Sequence, residues 1–235
     1  MFSKEDLDFF LTHIWDSSFA NNRGGMASPD MFSLFFMLRK LSPSVVVESG
    51  VWNGLSTKLI RKTLGPDVTI ICLDPRPIPP SGFKDSNPNT IYHVGAEFID
   101  FEHLDLSKYD PATIFAFFDC HTNAALRLYQ SKQKGISHLF FNDNYPKFCG
   151  SHYTLEHLYQ NDSRCASFSE KDRAMSIDFI KTYEIMPNIY PGKVKTGEGE
   201  FDCASFFASD NDESAYAIFR SEQSKYRWNT YVELK

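Results

Sequence analysis

The sequence predicts an α/β protein built on a doubly wound, mostly parallel sheet, with helices at the N-terminus and an antiparallel strand pair closing the C-terminus. Two observations carry this. Short apolar runs rich in β-branched and aromatic residues (VVVE, VTIICLD, IFAFF and HLFF) recur along the chain, as strands buried on both faces do. Segments with helical apolar spacing alternate with them, the pattern of βαβ units.

The elements follow in order. Ser3 to Trp15 reads as an amphipathic helix, with Ser3 as N-cap and Leu7, Phe10, Leu11 and Ile14 on one face. The polar, glycine-rich stretch Asn21–Met26 is either a plain connection or a lid over a ligand. Ser28-Pro29-Asp30 opens a second helix with a cap and a proline at its first position, and apolar residues run on to Leu41. Val45–Val47 begins the first strand. Glu48, Gly50 and Gly54 follow at once, and Ser56 and Thr57 lead into a helix that ends at Gly65-Pro66. A second strand, Val68 to Leu73, ends on Asp74. Strand, glycine turn, helix, strand and terminal acid make a nucleotide-binding βαβ unit, because glycines admit a ligand close to the backbone and a terminal carboxylate can accept ribose hydroxyls.

Five prolines between Pro75 and Pro88 require an irregular loop. A short strand, Thr90 to Val94, ends at Gly95-Ala96-Glu97, either an ordinary turn or part of the ligand site. Ile114–Phe118 delivers Asp119-Cys120-His121, a helix covers roughly 123–133, and His138–Phe141 delivers Asn142-Asp143-Asn144-Tyr145. Helices are expected over 151–159 and 172–183, a loop over 187–200, and strands over 215–220 and 229–234.

Composition excludes several classes. The formal net charge of −6 argues against nonspecific binding to nucleic acid or to an anionic membrane, which needs clustered positive charge. With 42% hydrophobic residues and 22 phenylalanines the chain can fill a large core. Five cysteines, an odd number without C-x-x-C spacing, point to reduced thiols and a cytoplasmic protein. The first ten residues carry acids where a secretory signal needs a basic start, and no apolar run reaches membrane-spanning length.

The turn lacks the G-x-G-x-x-G of dinucleotide sites. Its E-S-G-V-W-N-G-L-S pattern resembles motif I of the class I S-adenosylmethionine (SAM) methyltransferases, which implies a Rossmann-like fold. The resemblance implies SAM binding by Glu48, Gly50, Gly54, Ser56 and Asp74, with Gly95 and Ala96 near the adenine and Met26 in a covering segment. Trp52, inside the turn, either shields the cofactor or packs beneath it.

Asp119 and Asp143-Asn144 are similar to the metal ligands of catechol and caffeoyl-CoA O-methyltransferases, an oxygen-donor set suited to Mg²⁺. The runs VVVESGVWNGLST, FFDCH and HLFFNDNYP, with RGGM upstream, also resemble the methyltransferases grouped with cephalosporin hydroxylase and, beyond them, the macrolide and rhamnosyl sugar O-methyltransferases. Those groups carry two acids in each strand-end motif. Here Cys120 and Asn142 stand at acidic positions, and since the two families place the pair one residue apart, Asn142 and Asn144 both stay candidate ligands.

The resemblance therefore implies an O-methyltransferase acting on a hydroxyl of a small molecule or glycan with SAM and a divalent metal such as Mg²⁺. Asp119 and His121 are the candidate catalytic pair, His121 as general base. The alternatives are a metal-independent enzyme relying on His121 alone and a noncatalytic SAM-binding module. Residues 1–235 are read as one domain, with a helical cap (1–42), a cofactor and metal core (45–146), and acceptor-side insertions with the final strands (147–235).

Overall fold

The computed structural model describes residues 2–20, 25–146, 149–150, 152–160, 174, 176–208 and 216–235. It contains a seven-stranded sheet in the order β3-β2-β1-β4-β5-β9-β6 and a separate β7-β8 hairpin. The strands are β1 (Val45–Ser49), β2 (Thr69–Asp74), β3 (Thr90–Val94), β4 (Ile114–Phe118), β5 (His138–Phe141), β6 (Ile180–Ile185), β7 (Lys193–Thr196), β8 (Gly199–Asp202) and β9 (Thr230–Leu234). The helices are α1 (Lys4–Phe9), α2 (Ser17–Ala20), α3 (Ser28–Leu41), α4 (Leu55–Leu64), α5 (Ala124–Gln133), α6 (Leu155–Gln160) and α7 (Ala217–Glu222).

The chain divides into two compact units, one holding residues up to Met26 and Met31–Cys120, the other Ala27–Asp30 and His121–Lys235. In the first unit β1 pairs in parallel with both β2 and β4, and β2 with β3. Chain order thus reverses between β1 and β4, the topological switch at which open α/β sheets bind ligands. Every residue of β1 and β4 is buried, whereas β3, at the edge, is half-buried throughout. The N-terminal helix starts where Ser3 caps it, in a reciprocal box with Asp6, and after α1 it widens into a π-type turn at Phe10–Ile14. Buried Phe2, Phe10, Phe32 and Phe35 make edge and tilted ring contacts there, Phe2–Phe32 at 4.8 Å and Phe10–Phe35 at 5.1 Å between centroids.

In the second unit β9 lies antiparallel between β5 and β6. Three expectations are corrected here. Residues 180–185 form strand β6 rather than the end of a helix, because β-branched and aromatic Ile180, Thr182, Tyr183 and Ile185 suit a ladder with β9, with an irregularity between Ile180 and Thr182. The 187–200 stretch is not wholly loop: Val194 is buried between exposed Lys193 and Lys195, and Gly197-Glu198 is the two-residue turn of the β7-β8 hairpin. The expected strand at 215–220 is helix α7, with Phe219 as its buried residue. The antiparallel partner of β9 therefore comes from β6. The Asn21–Gly24 part of the lid segment and Cys165 lie outside the described residues. No helix among the described residues is long and apolar enough to cross a membrane.

Candidate active site

The glycine turn of the first unit is locked from two sides. Gly50 (φ 101°), Trp52 (φ 48°) and Gly54 (φ 76°) all adopt left-handed backbone. A Cβ on Gly50 would stand 2.4 Å from the Asp119 carbonyl, and one on Gly54 would stand 2.0 Å from the Phe83 carbonyl oxygen. Both glycines are thus required by close chain packing. Asp74, at the end of β2, accepts the amides of Val51 (3.0 Å) and Trp52 (2.9 Å) on one carboxylate oxygen and that of Arg76 (2.8 Å) on the other. Burial raises its pKa, but those amides outweigh burial and hold the carboxyl below its ordinary range. Asp74 thus fixes the turn through both of its carboxylate oxygens.

Glu48 also faces inward. Its carboxyl accepts hydrogen bonds from Ser56, from Thr57 (2.6 Å) and from the Cys72 thiol (3.4 Å), clamping β1 to the first turn of α4 and to β2. Burial pushes its pKa up to about 7 against the pull of the Ser56 and Thr57 hydroxyls. Glu48 and Ser56 are therefore a buried clamp beneath the turn. Trp52 is the exposed member, 44% accessible, and the Arg76 guanidinium lies 4.5 Å over its ring. Trp52 thus does not pack beneath the turn. Gly95 opens a single 3-10 turn after β3, with exposed Ala96 next to it, and Met26 is buried. Asp119 follows β4, its amide donating to the Ser49 carbonyl at 2.8 Å, which puts it against the glycine turn.

The second unit centres on Asp143. Its Oδ2 lies 2.8 Å from His121 Nε2 and its Oδ1 lies 3.9 Å from Arg227 Nε, and Tyr145 also hydrogen-bonds to it. His121 (φ 52°) and Asp143 (φ 55°) both hold the left-handed backbone that non-glycine residues rarely adopt, a strain that concentrates at functional sites. The His121 ring stacks on that of His152 at 4.7 Å, and burial followed by the His121 charge lowers the His152 pKa to about 4, keeping it neutral. Behind them Asp30 is fully buried. It accepts the Arg227 amide at 3.0 Å, and burial raises its pKa well above the carboxylate range.

The two asparagines do not join this group equally. Asn142 is buried directly before Asp143. Asn144 is turned away: its Nδ2 donates to Tyr183 (2.8 Å) and Thr230 (2.7 Å), and its Oδ1, the atom a metal would need, accepts the Leu155 amide (2.9 Å). Asn144 thus fastens strand ends to α6.

Sequence reading missed Arg227, Asp30, His152 and the Cys72–Thr57 part of the clamp. Cys72 had a signal, since it sits opposite Glu48 in the parallel β1-β2 register. Arg227 had none, because 84 positions separate it from Asp143 in the chain.

No protein-family model matches the chain, and no curated protein matches it in sequence. Solved structures do resemble it. The O-methyltransferase from Bacillus cereus in complex with SAH superposes with a TM-score of 0.51 at 13% identity, covering 99% of this chain and 98% of that one. The O-methyltransferase TomG from Streptomyces achromogenes, involved in tomaymycin synthesis and in complex with SAM, gives 0.50 at 10% identity over 99% and 96%. A SAM-dependent O-methyltransferase from Thermotoga maritima gives 0.50 at 8% identity over 94% and 70%. At these identities the likeness is one of fold: the chain has the Rossmann-like architecture found in SAM-dependent O-methyltransferases.

Proposed function

We propose that the chain is a SAM-dependent O-methyltransferase acting on a hydroxyl of a small molecule or a sugar. The observation that carries this reading is an architecture matched almost end to end by O-methyltransferases, with Asp143 and His121 held in a constrained constellation after β4 and β5. The glycine turn, walled by Trp52 and Arg76, is the proposed cofactor seat, and the Asp74 lock presets its amides. Gly95, Ala96 and Met26 are proposed to border it. An odd number of cysteines without C-x-x-C spacing suits a reducing, cytoplasmic setting.

Asp119, His121 and Asp143 are the proposed holders of a divalent ion, Mg²⁺ first among them. Two carboxylates and an imidazole are a chemically suitable donor set; the imidazole extends it toward Mn²⁺ and Zn²⁺, and Asn142 is the remaining oxygen candidate. A bound ion would act as a Lewis acid on the acceptor hydroxyl and orient it.

A second reading rests on Arg227. A guanidinium beside Asp143 balances part of its charge without a metal, leaving His121 as the base. If Nε2–H is donated to Asp143, Nδ1 is the basic nitrogen and takes the acceptor's proton as its oxygen attacks the methyl carbon, while the C–S electron pair returns to sulfur.

Calorimetry with SAM and S-adenosylhomocysteine, followed by methyl-transfer assays on a catechol and sugar panel, tests the proposal. Both nucleosides are expected to bind. Tight binding without turnover on any acceptor would favour a noncatalytic module, and no binding at all would overturn the reading. Activity abolished by EDTA and restored by Mg²⁺ supports the metal; rates indifferent to chelator support His121 alone.

A further inference from the structure

A second feature of the His121–Lys235 unit is a cavity of about 390 Å³ lined by Tyr145, Gly150, Lys195, Thr196, Gly197, Glu198 and Arg227. Its walls are built to hold their shape. Tyr145 packs on Trp228 at 5.9 Å, and Val194, Tyr226 and Trp228 form a buried cluster against which Tyr145, Phe201 and Cys203 pack. Gly150 (φ 78°) is where a Cβ would come within 2.5 Å of the Tyr145 ring, so this glycine gives the ring its place. The Arg227 backbone is pinned through its amide to buried Asp30.

The charges in this wall are unequal. Arg227 donates Nη1 to the Tyr226 carbonyl at 3.1 Å and approaches Asp143 through Nε at 3.9 Å. Among the described residues Nη2 has no hydrogen-bond partner, so one edge of the planar fork is available to a further acceptor. Lys195 brings a second cation, paired loosely at 3.4 Å with Glu200 on the exposed hairpin, and Glu198 is the single acid among the described lining residues. A guanidinium fork with an open donor edge and a second cation at the rim suit a carboxylate, which accepts from Arg with two parallel bonds. Because Arg227 also meets Asp143, and Asp143 meets His121, an anion seated on Arg227 has its neighbouring atoms beside Asp143 and His121.

We propose that this cavity is the acceptor site and that it selects an acceptor bearing a carboxylate close to the hydroxyl to be methylated, with Arg227 as its principal holder and Lys195 as the rim cation. The assignment of acceptor rests on the methyltransferase reading; the anion site does not.

Saturation-transfer NMR titrations of the full chain with two pairs of probes that differ only in carboxylate against hydroxymethyl test it: glucuronate against glucose, and 3,4-dihydroxybenzoate against 3,4-dihydroxybenzyl alcohol. In at least one pair the carboxylate is expected to bind about tenfold more tightly or better, the range of a charge-assisted bond. Arg227→Met is expected to remove that preference, Arg227→Lys to restore part of it, and Lys195→Met, on the exposed hairpin and so with little bearing on folding, to reduce it severalfold. Carboxylates that bind no better than their neutral partners, or a preference that survives Arg227→Met, would overturn the proposal. SAM titrations of the same samples separate the two ideas. A carboxylate preference without SAM binding leaves the anion site standing and removes the methyltransferase reading, whereas SAM-dependent methylation of neutral acceptors alone does the reverse.

Discussion

Replacing Glu48 with Gln isolates one buried charge, and its effect can be worked from the structure. The carboxyl is fully buried among Ser56, Thr57 and Cys72, and burial raises its pKa from 4.5 to about 7. The native state therefore holds a proton that the unfolded chain releases above pH 4.5. The stabilising contribution is complete below that pH and is lost as pH rises through 7. At about 1.4 kcal/mol for each tenfold change in proton affinity, this rise corresponds to roughly 3 kcal/mol, most of it lost between pH 5 and pH 8. Glutamine keeps the shape and the hydroxyl contacts but does not titrate. Urea unfolding at pH 5, 6, 7 and 8 should show the two proteins nearly equal at pH 5, with Glu48→Gln ahead by about 2–3 kcal/mol at pH 8. Parallel stability curves, or a variant that is weaker at pH 8, would refute the reasoning.

Other substitutions probe the remaining parts. Asp74→Ala leaves the Val51 and Trp52 amides without their acceptor and should weaken SAM binding at least tenfold in calorimetry, with a stability loss of about 1–3 kcal/mol. Gly50→Ala forces a side chain into the Asp119 carbonyl at φ 101° and should cost more than about 3 kcal/mol in chemical denaturation. Asp143→Ala should leave SAM affinity within a few-fold of the parent while removing turnover in a methyl-transfer assay; lost SAM affinity with turnover retained would reverse the role assignment.

How much of this was legible in the sequence depended on whether the signal was local. Strands β4 and β5 fall where their apolar runs lie, because a strand buried on both faces leaves an uninterrupted run. Ser3 declared its cap, and Gly65 the end of α4, through backbone chemistry confined to a few residues. Strands β6, β7 and β8 were misread because their faces are half-exposed and their residue types are also common in helices and loops. The pairing of β6 with β9, about fifty residues apart, decides the matter, and no local pattern reports it. The same holds at the site. Asp143 and His121 were visible as strand-end residues, but Arg227, Asp30 and the inward commitment of Asn144 are tertiary facts. Asp74 was visible as the acid that ends β2, whereas its bonds to the amides of Val51, Trp52 and Arg76 are set by the fold of the turn.

The left-handed backbone at Trp52, His121 and Asp143 bears on how this protein would respond to engineering. Each such residue costs on the order of 1 kcal/mol or more, which glycine would recover. A directed search for heat resistance would therefore be drawn to these positions along with Ser42 and Trp228, which share the backbone, and success at 52, 121 and 143 would trade away an indole, an imidazole and a carboxylate. Thermostability screens on this scaffold should hold positions 52, 121 and 143 fixed and seek their gains on the exposed face of the β7-β8 hairpin and at the edge strand β3.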